Sequence, residues 1–277
     1  MIRLIAFDMD GTVLNDEKKI LNETKEALEQ AARAGIEIVP ATGRPFCGIS
    51  DEIYQLDGVR YVLTTNGAGI YERDSKTCLY EDAIPLSAYL PMLAEVEAYD
   101  VMADTFLKGG ALMTKRKRDL LPRMRLTKEI RDYILSSRQV VESQVDYLRE
   151  RGEDVEKLTI NFAYDEDGHR IDYDAVWEVL KKYPDVNAVS GGMKNIEVTK
   201  KGVSKASGLL YLGKKLGIAP EEMMVFGDSG NDLDMIKMAG IGVAMANAEP
   251  EVLKAADFVT KSNNENGVGG FLVSADY

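Results

Sequence analysis

Short apolar runs alternate with amphipathic stretches along most of this chain. Residues 2–7 form a run with one charge, long enough for a buried strand. Residues 22–34 then place Leu28, Ala31 and Ala32 on one helical face, with Asn22 as a candidate cap and Gly35 as a stop. A strand over 36–39, a helix over 46–56 and a strand over 61–65 continue the rhythm, and 68–72 and 77–80 read as a hairpin across Asp74-Ser75. Strands separated by helices predict right-handed βαβ units and a parallel sheet, whose ligands sit beyond the carboxyl ends of the strands.

The pattern changes near Pro85. A helix over 86–98, strands over 101–106 and 111–114, a mixed-charge helix and turn over 146–156, a strand over 158–163, a helix over 173–182 and a strand over 186–190 make an α+β insert, about 84–190. Trp177 reads as core and His169 as a solvated turn residue. A basic stretch from Lys115 to Arg131 reads as the solvated face of a helix, with a substrate-collecting patch as the alternative. The βα rhythm then resumes: strand 195–199, a helix to 216 that Ser204 can cap, strand 223–226, helix 233–238, strand 241–244, helix 249–255, strand 258–260 and a closing helix over 267–274. The domains expected are therefore a core of 1–83 with 191–277, and an insert of 84–190.

At 277 residues the chain can bury a substantial core. A net charge of −12 argues against nucleic-acid binding, which needs a basic footprint, but leaves small anionic substrates open. Two cysteines without metal-type spacing fit a reducing cytoplasm. The start is too short and too soon acidic for a signal peptide, and no apolar stretch is long enough to span a bilayer. One histidine argues against a multi-His metal site or a Ser-His-Asp triad.

The chemistry gathers at strand ends. The first strand runs into Asp8-Met9-Asp10-Gly11-Thr12. Two carboxylates so close repel each other, and a bound cation would remove that cost; alternatively Asp10 caps a turn and Asp8 is solvated. The next strand ends in Thr42-Gly43-Arg44, where amides and a hydroxyl suit an anion, although in isolation it reads better as a plain turn. Lys205 stands at a helix start, the wrong end for a cation unless an anion lies beside it. A later strand ends in Gly227-Asp228-Ser229-Gly230-Asn231-Asp232; helix capping accounts for Asn231 and Asp232 but not for Asp228.

In order, these four pieces resemble the four motifs of the haloacid dehalogenase superfamily, and the insert lies where its Cof-type branch carries a large second-type cap. The resemblance implies an α/β fold: a Rossmann-like parallel-sheet core with an inserted α+β cap that sets specificity. It implies Mg²⁺-dependent hydrolysis of small phosphorylated metabolites, sugar phosphates or related, through an aspartyl-phosphate. Asp8 would be the nucleophile and Asp10 the acid and base. Thr42 and Lys205 would hold the phosphoryl group, with Gly43, Arg44 and Asn231 at the same substrate site. Metal ligands would be Asp8, Asp10 through its carbonyl, Asp228 and, directly or through water, Asp232. Where the family often has glycine after its lysine, this chain has Ala206. A hexose-phosphate mutase using the same Asp pair is the alternative; a non-catalytic binding protein fits least, because the motifs are intact. A cytoplasmic monomer or homodimer is expected.

Overall fold

The computed structural model describes residues 1–191 and 195–274. Strand β1 (Leu4–Phe7) is wholly buried and leads through α1 (Asn22–Arg33) to β2 (Glu37–Pro40). Leu21, not Asn22, occupies the cap position of α1 and no side chain caps it, so Asn22 already belongs to the first turn. The helix expected over 46–56 is broken. A 3-10 turn at Phe46–Gly48 is followed by α2 (Asp51–Tyr54), because the Ser50 side chain accepts from the Glu52 amide and starts a new helix. Strands β3 (Tyr61–Thr64), β4 (Gly69–Glu72) and β5 (Cys78–Glu81) form their own three-stranded sheet, with β3 joined to the β2 segment only by isolated parallel bridges such as Ala41↔Leu63.

The insert follows as α3 (Leu86–Glu97), β6 (Val101–Leu107), β7 (Gly110–Thr114), α4 (Lys115–Arg118), α5 (Lys128–Ser137), β8 (Gln139–Val141), α6 (Gln144–Arg151), β9 (Lys157–Phe162), α7 (Tyr173–Leu180), β10 (Val186–Ser190) and β11 (Ile196–Lys200). Its sheet runs β10-β11-β9-β6-β7-β8, antiparallel except between β7 and β8. Alternate residues of β6, β9 and β11, among them Ala103, Ile160 and Val198, share one apolar core with Tyr89, Leu93 and Val96 of α3 and Val176 of α7. Trp177 packs against that core from a half-buried position. Of the basic stretch, Lys115, Arg116, Arg123, Arg125 and Lys128 are exposed, whereas Lys117 is buried and donates to the Tyr99 carbonyl at 2.6 Å.

The chain returns through α8 (Lys205–Leu216), β12 (Met223–Gly227), α9 (Leu233–Met238), β13 (Ile241–Ala244), α10 (Pro250–Ala255), β14 (Phe258–Val259) and α11 (Gly267–Ser274). The five-stranded sheet β14-β13-β12-β1-β2 is parallel throughout. Its central strands are apolar from end to end because helices cover both faces of such a sheet. Phe7 pairs with Phe226, so the residues that follow β1 and β12 emerge side by side.

Two compact units result: Met1–Arg44, Ile49–Tyr80 and Val203–Tyr277 in one, Pro45–Gly48 and Glu81–Gly202 in the other. The second boundary thus differs from the expected return to the core at 191. Strand β11 pairs with β10 and β9 and buries Ile196 and Val198 in the insert's core, which keeps the chain in the second unit to Gly202. The short passage Pro45–Gly48 also belongs to that unit, where the Cys47 amide donates to the Gly109 carbonyl at 2.8 Å.

Candidate active site

All four sequence pieces meet within the first unit. Asp8 follows β1, with its amide donating to the Phe226 carbonyl at 3.0 Å, and is 6% exposed. Lys205 opens α8, where Ser204 caps the helix as expected, and is fully buried. Its ammonium donates to Asp8 Oδ1 at 2.5 Å and to Asp232 Oδ1 at 2.6 Å. The anions beside it account for a cation at the unfavourable end of a helix. Burial disfavours the charge on Lys205, yet Asp232 and Asp8 overcome this and raise its pKa.

Oxygens of Asp8, Asp228 and Asp232 lie within 4.8 Å of one another. Asp228 accepts from the Thr12 hydroxyl at 2.8 Å. Burial, reinforced by the Asp232 charge, pushes the Asp228 carboxyl up to about 7. Burial likewise raises Asp8, against the pull of Lys205 and with the three neighbouring aspartates adding to it. Asp232 is fully committed: besides Lys205, its Oδ2 accepts the amides of Asp228 at 2.9 Å and Ser229 at 3.1 Å. Its side chain fixes the turn that carries Asp228. A converging set of hard oxygen donors, crowded with negative charge, fits a small divalent cation of the Mg²⁺ type. Gly11 makes room for this: with φ at +83°, a Cβ there would lie 2.5 Å from Asp228 Oδ2.

Asp10 points elsewhere. Arg44 grips it with two hydrogen bonds, Nε to Oδ2 at 2.8 Å and Nη2 to Oδ1 at 2.7 Å, and Lys18 adds a third at 3.0 Å. Burial opposes the charge on Asp10, but the Arg44 guanidinium and Lys18 prevail and hold it below the usual carboxylate range. The Asp10 side chain is therefore turned to cations, which leaves only its backbone carbonyl to the expected metal role. Thr42 is buried, its hydroxyl accepting the Arg44 amide at 3.1 Å. Gly43 lies between them. Asn231 receives a hydrogen bond from Ser229 on its Oδ1 and donates its Nδ2 to Asn66 Oδ1 at 3.1 Å. Ala206 is buried in the apolar core with Leu209, so its methyl group belongs to packing.

Sequence reasoning missed several side chains that hold these loops. Locally the Asn66-Gly67 pair signals only a turn, and Asn247 and Asn263 stand in no motif. Asn247 donates to the Gly11 carbonyl at 2.8 Å and accepts the Asn263 amide at 3.1 Å, while the Asn263 side chain donates to the Leu14 carbonyl at 3.0 Å. The polar run Ser262-Asn263-Asn264-Glu265-Asn266 was the available signal.

A parallel sheet with acidic turns at two adjacent strand ends, a buried lysine between them and an inserted α+β unit are the parts of a phosphoryl-handling enzyme with a Rossmann-like core. The chain belongs to the haloacid dehalogenase-like hydrolases of the Cof type, whose family profile matches residues 5–272. YxeH of Bacillus subtilis (strain 168) is 34% identical over 276 residues, 97% of this chain and 96% of that protein. From the same organism, the 5-amino-6-(5-phospho-D-ribitylamino)uracil phosphatase YcsE is 32% identical over 267 residues, 96% and 93% of the two chains. Among solved structures, the subclass IIB sugar phosphatase BT4131 superposes with a TM-score of 0.78 at 28% identity, covering 98% of each chain. The protein is accordingly an enzyme of the phosphatase class in this superfamily. Among the described residues no helix is long and apolar enough to cross a membrane.

Proposed function

We propose that this protein is a Mg²⁺-dependent cytoplasmic phosphatase that hydrolyses small phosphorylated metabolites, sugar phosphates or related compounds, through an aspartyl-phosphate on Asp8. The observation that carries the reading is the contact of Asp8 with Lys205 beside Asp228, at the strand end where ligands of parallel sheets sit. The sugar phosphatase BT4131 and the ribitylamino-uracil phosphatase YcsE support the substrate class.

Asp8, Asp228 and the Asp10 carbonyl would hold the metal, with Asp232 behind them as the anchor of Lys205 and of the Asp228 turn. When bound, Mg²⁺ supplies positive charge that lets two anions approach and stabilises the phosphoryl oxygens. In the first step an Asp8 oxygen bonds to phosphorus while the ester P–O bond breaks, and Asp10 gives its proton to the departing alkoxide. In the second, Asp10 takes a proton from water. The water oxygen attacks phosphorus and Asp8 leaves as a carboxylate with inorganic phosphate. Lys205 and the Thr42 hydroxyl bind the phosphoryl oxygens in both steps. Arg44 favours the ionised Asp10 needed in the second step. An anionic substrate competing for Arg44 loosens that hold and lets Asp10 carry the proton needed in the first.

The test is phosphate release from a panel of phosphorylated sugars, nucleotides and cofactors. The reading expects turnover with Mg²⁺, loss with chelator and loss in Asp8→Asn. Isomerised monophosphate in place of free phosphate would instead show a mutase, and metal binding without turnover on any ester would refute the enzyme reading.

A further inference from the structure

Three consecutive residues after β3 have left-handed backbone: Thr65 at φ +48°, Asn66 at +58° and Gly67 at +98°. Asparagine tolerates this region, glycine is free in it, and a β-branched threonine resists it. Such a turn persists only where its surroundings over-determine it. Here each residue is tied to a different part of the site. The Thr65 amide donates to the Arg44 carbonyl at 2.9 Å and the Asn66 amide to the Thr42 carbonyl at 3.0 Å. The buried Asn66 side chain accepts from Asn231 Nδ2 at 3.1 Å. Gly67 lies against the start of α8, where a Cβ would come within 2.1 Å of the Ser204 carbonyl oxygen, next to Lys205. One turn therefore joins the loops of Thr42, Asn231 and Lys205, which lie far apart in the chain.

We infer that Asn66 is a positioning residue for phosphoryl transfer: it locks the Asn231 amide and the Thr42–Arg44 backbone into one frame. The inference rests on the phosphatase reading. Its side chain acts through Asn231 and its backbone through Thr42, so its loss loosens the geometry of the bound phosphoryl group, and small displacements of that kind are costly to rate.

The experiment compares Asn66→Gly, Asn66→Asp, Asn231→Ala and the double variant Asn66→Gly/Asn231→Ala. Glycine keeps the left-handed turn and removes the side chain with its acceptor; aspartate keeps an acceptor of the same shape. Asn66→Gly is expected to lower kcat by about tenfold or more, with a smaller change in KM. Asn66→Asp recovers most of kcat, at a higher KM because of its added negative charge. The double variant is no worse than Asn231→Ala alone, as for residues acting through one contact. Hydrogen exchange gives a readout independent of turnover: Asn66→Gly speeds exchange at residues 42–44 and 229–232. Wild-type kcat in Asn66→Gly, multiplicative losses in the double variant, or unchanged exchange would each overturn the inference. A wild-type protein without turnover overturns the phosphatase reading and this inference with it; turnover in the wild type with any of the three results above overturns this inference alone.

Discussion

Both units bury charged side chains, and they do so in opposite ways. In the second unit two anions are each matched to one cation: Arg138 Nε meets Asp104 Oδ2 at 3.1 Å, and Lys157 meets Glu197 at 3.0 Å; the buried Glu156 accepts the Gly109 amide at 3.0 Å. Arg138 and Lys157 also lie over the Phe106 ring, at 4.9 and 5.0 Å. In the first unit a single lysine serves both Asp8 and Asp232, while Asp228 has a neutral hydroxyl for company. Matched pairs offset their own charge within the fold. Converging carboxylates that outnumber their cations carry a cost that a proton or a bound cation removes. Buried charge by itself thus does not mark a reactive site; several carboxylates converging on one cation point to one.

Substitutions in the two clusters should separate these roles. Asp8→Asn is expected to reduce turnover by about 10³-fold or more, since it removes the nucleophile of the proposed mechanism. It should leave the thermal midpoint of the metal-free protein unchanged or higher, because like-charge repulsion is relieved. Arg138→Leu reverses the pattern. Leaving Asp104 unpaired should cost about 3–5 kcal/mol, read by denaturant unfolding, while turnover per folded molecule is retained. Large loss of turnover in Arg138→Leu with stability intact would break the contrast.

Arg44→Met comes next in size. Freed of its guanidinium, Asp10 should bind its proton more tightly, and kcat should fall by about 10- to 100-fold. In the proposed mechanism Asp10 must be ionised to activate water, so a raised pKa moves the acid limb of the kcat profile to higher pH. An unmoved limb would show that Arg44 does not govern Asp10.

The smallest effect concerns Asp228. Its carboxyl, pushed up to about 7, lies above its unfolded value, so the fold favours the protonated form. The metal-free protein should then lose stability as pH rises from about 4 to about 7. A cation must displace that proton, so the rise in melting temperature with Mg²⁺ should be larger near pH 8 than near pH 6. Equal shifts at the two pH values would contradict the crowded-carboxylate account.

The groups to which the proposed mechanism gives the chemistry were legible in the sequence because each stands where an apolar run stops. Asp8, Thr42 and Asp228 follow strands, and Lys205 starts a helix against the dipole. The groups that hold them were not. Asn66 meets Asn231, and Asn263 meets Leu14, across 165 and 249 residues, and a local spacing says nothing of contacts at that range. The same limit hid the membership of β11, whose pattern reads as a strand in either unit and is decided only by pairing with β9 and β10. Lys117 was taken with its basic neighbours, but the Tyr99 carbonyl lets its long stem lie buried. The break at Ser50 turned on one local hydrogen bond that hydrophobic periodicity does not register.

The measurement closest to the central claim is trapping of the covalent species. The enzyme is mixed with Mg²⁺ and the best ester of the panel, quenched in acid within the first turnover, digested and sequenced by mass spectrometry. The account predicts a phosphoryl group on Asp8, absent from Asp8→Asn and accumulating further in Arg44→Met, where its hydrolysis is slowed. Phosphate released by a protein whose Asp8 never carries the group, or full turnover by Asp8→Asn, would contradict it.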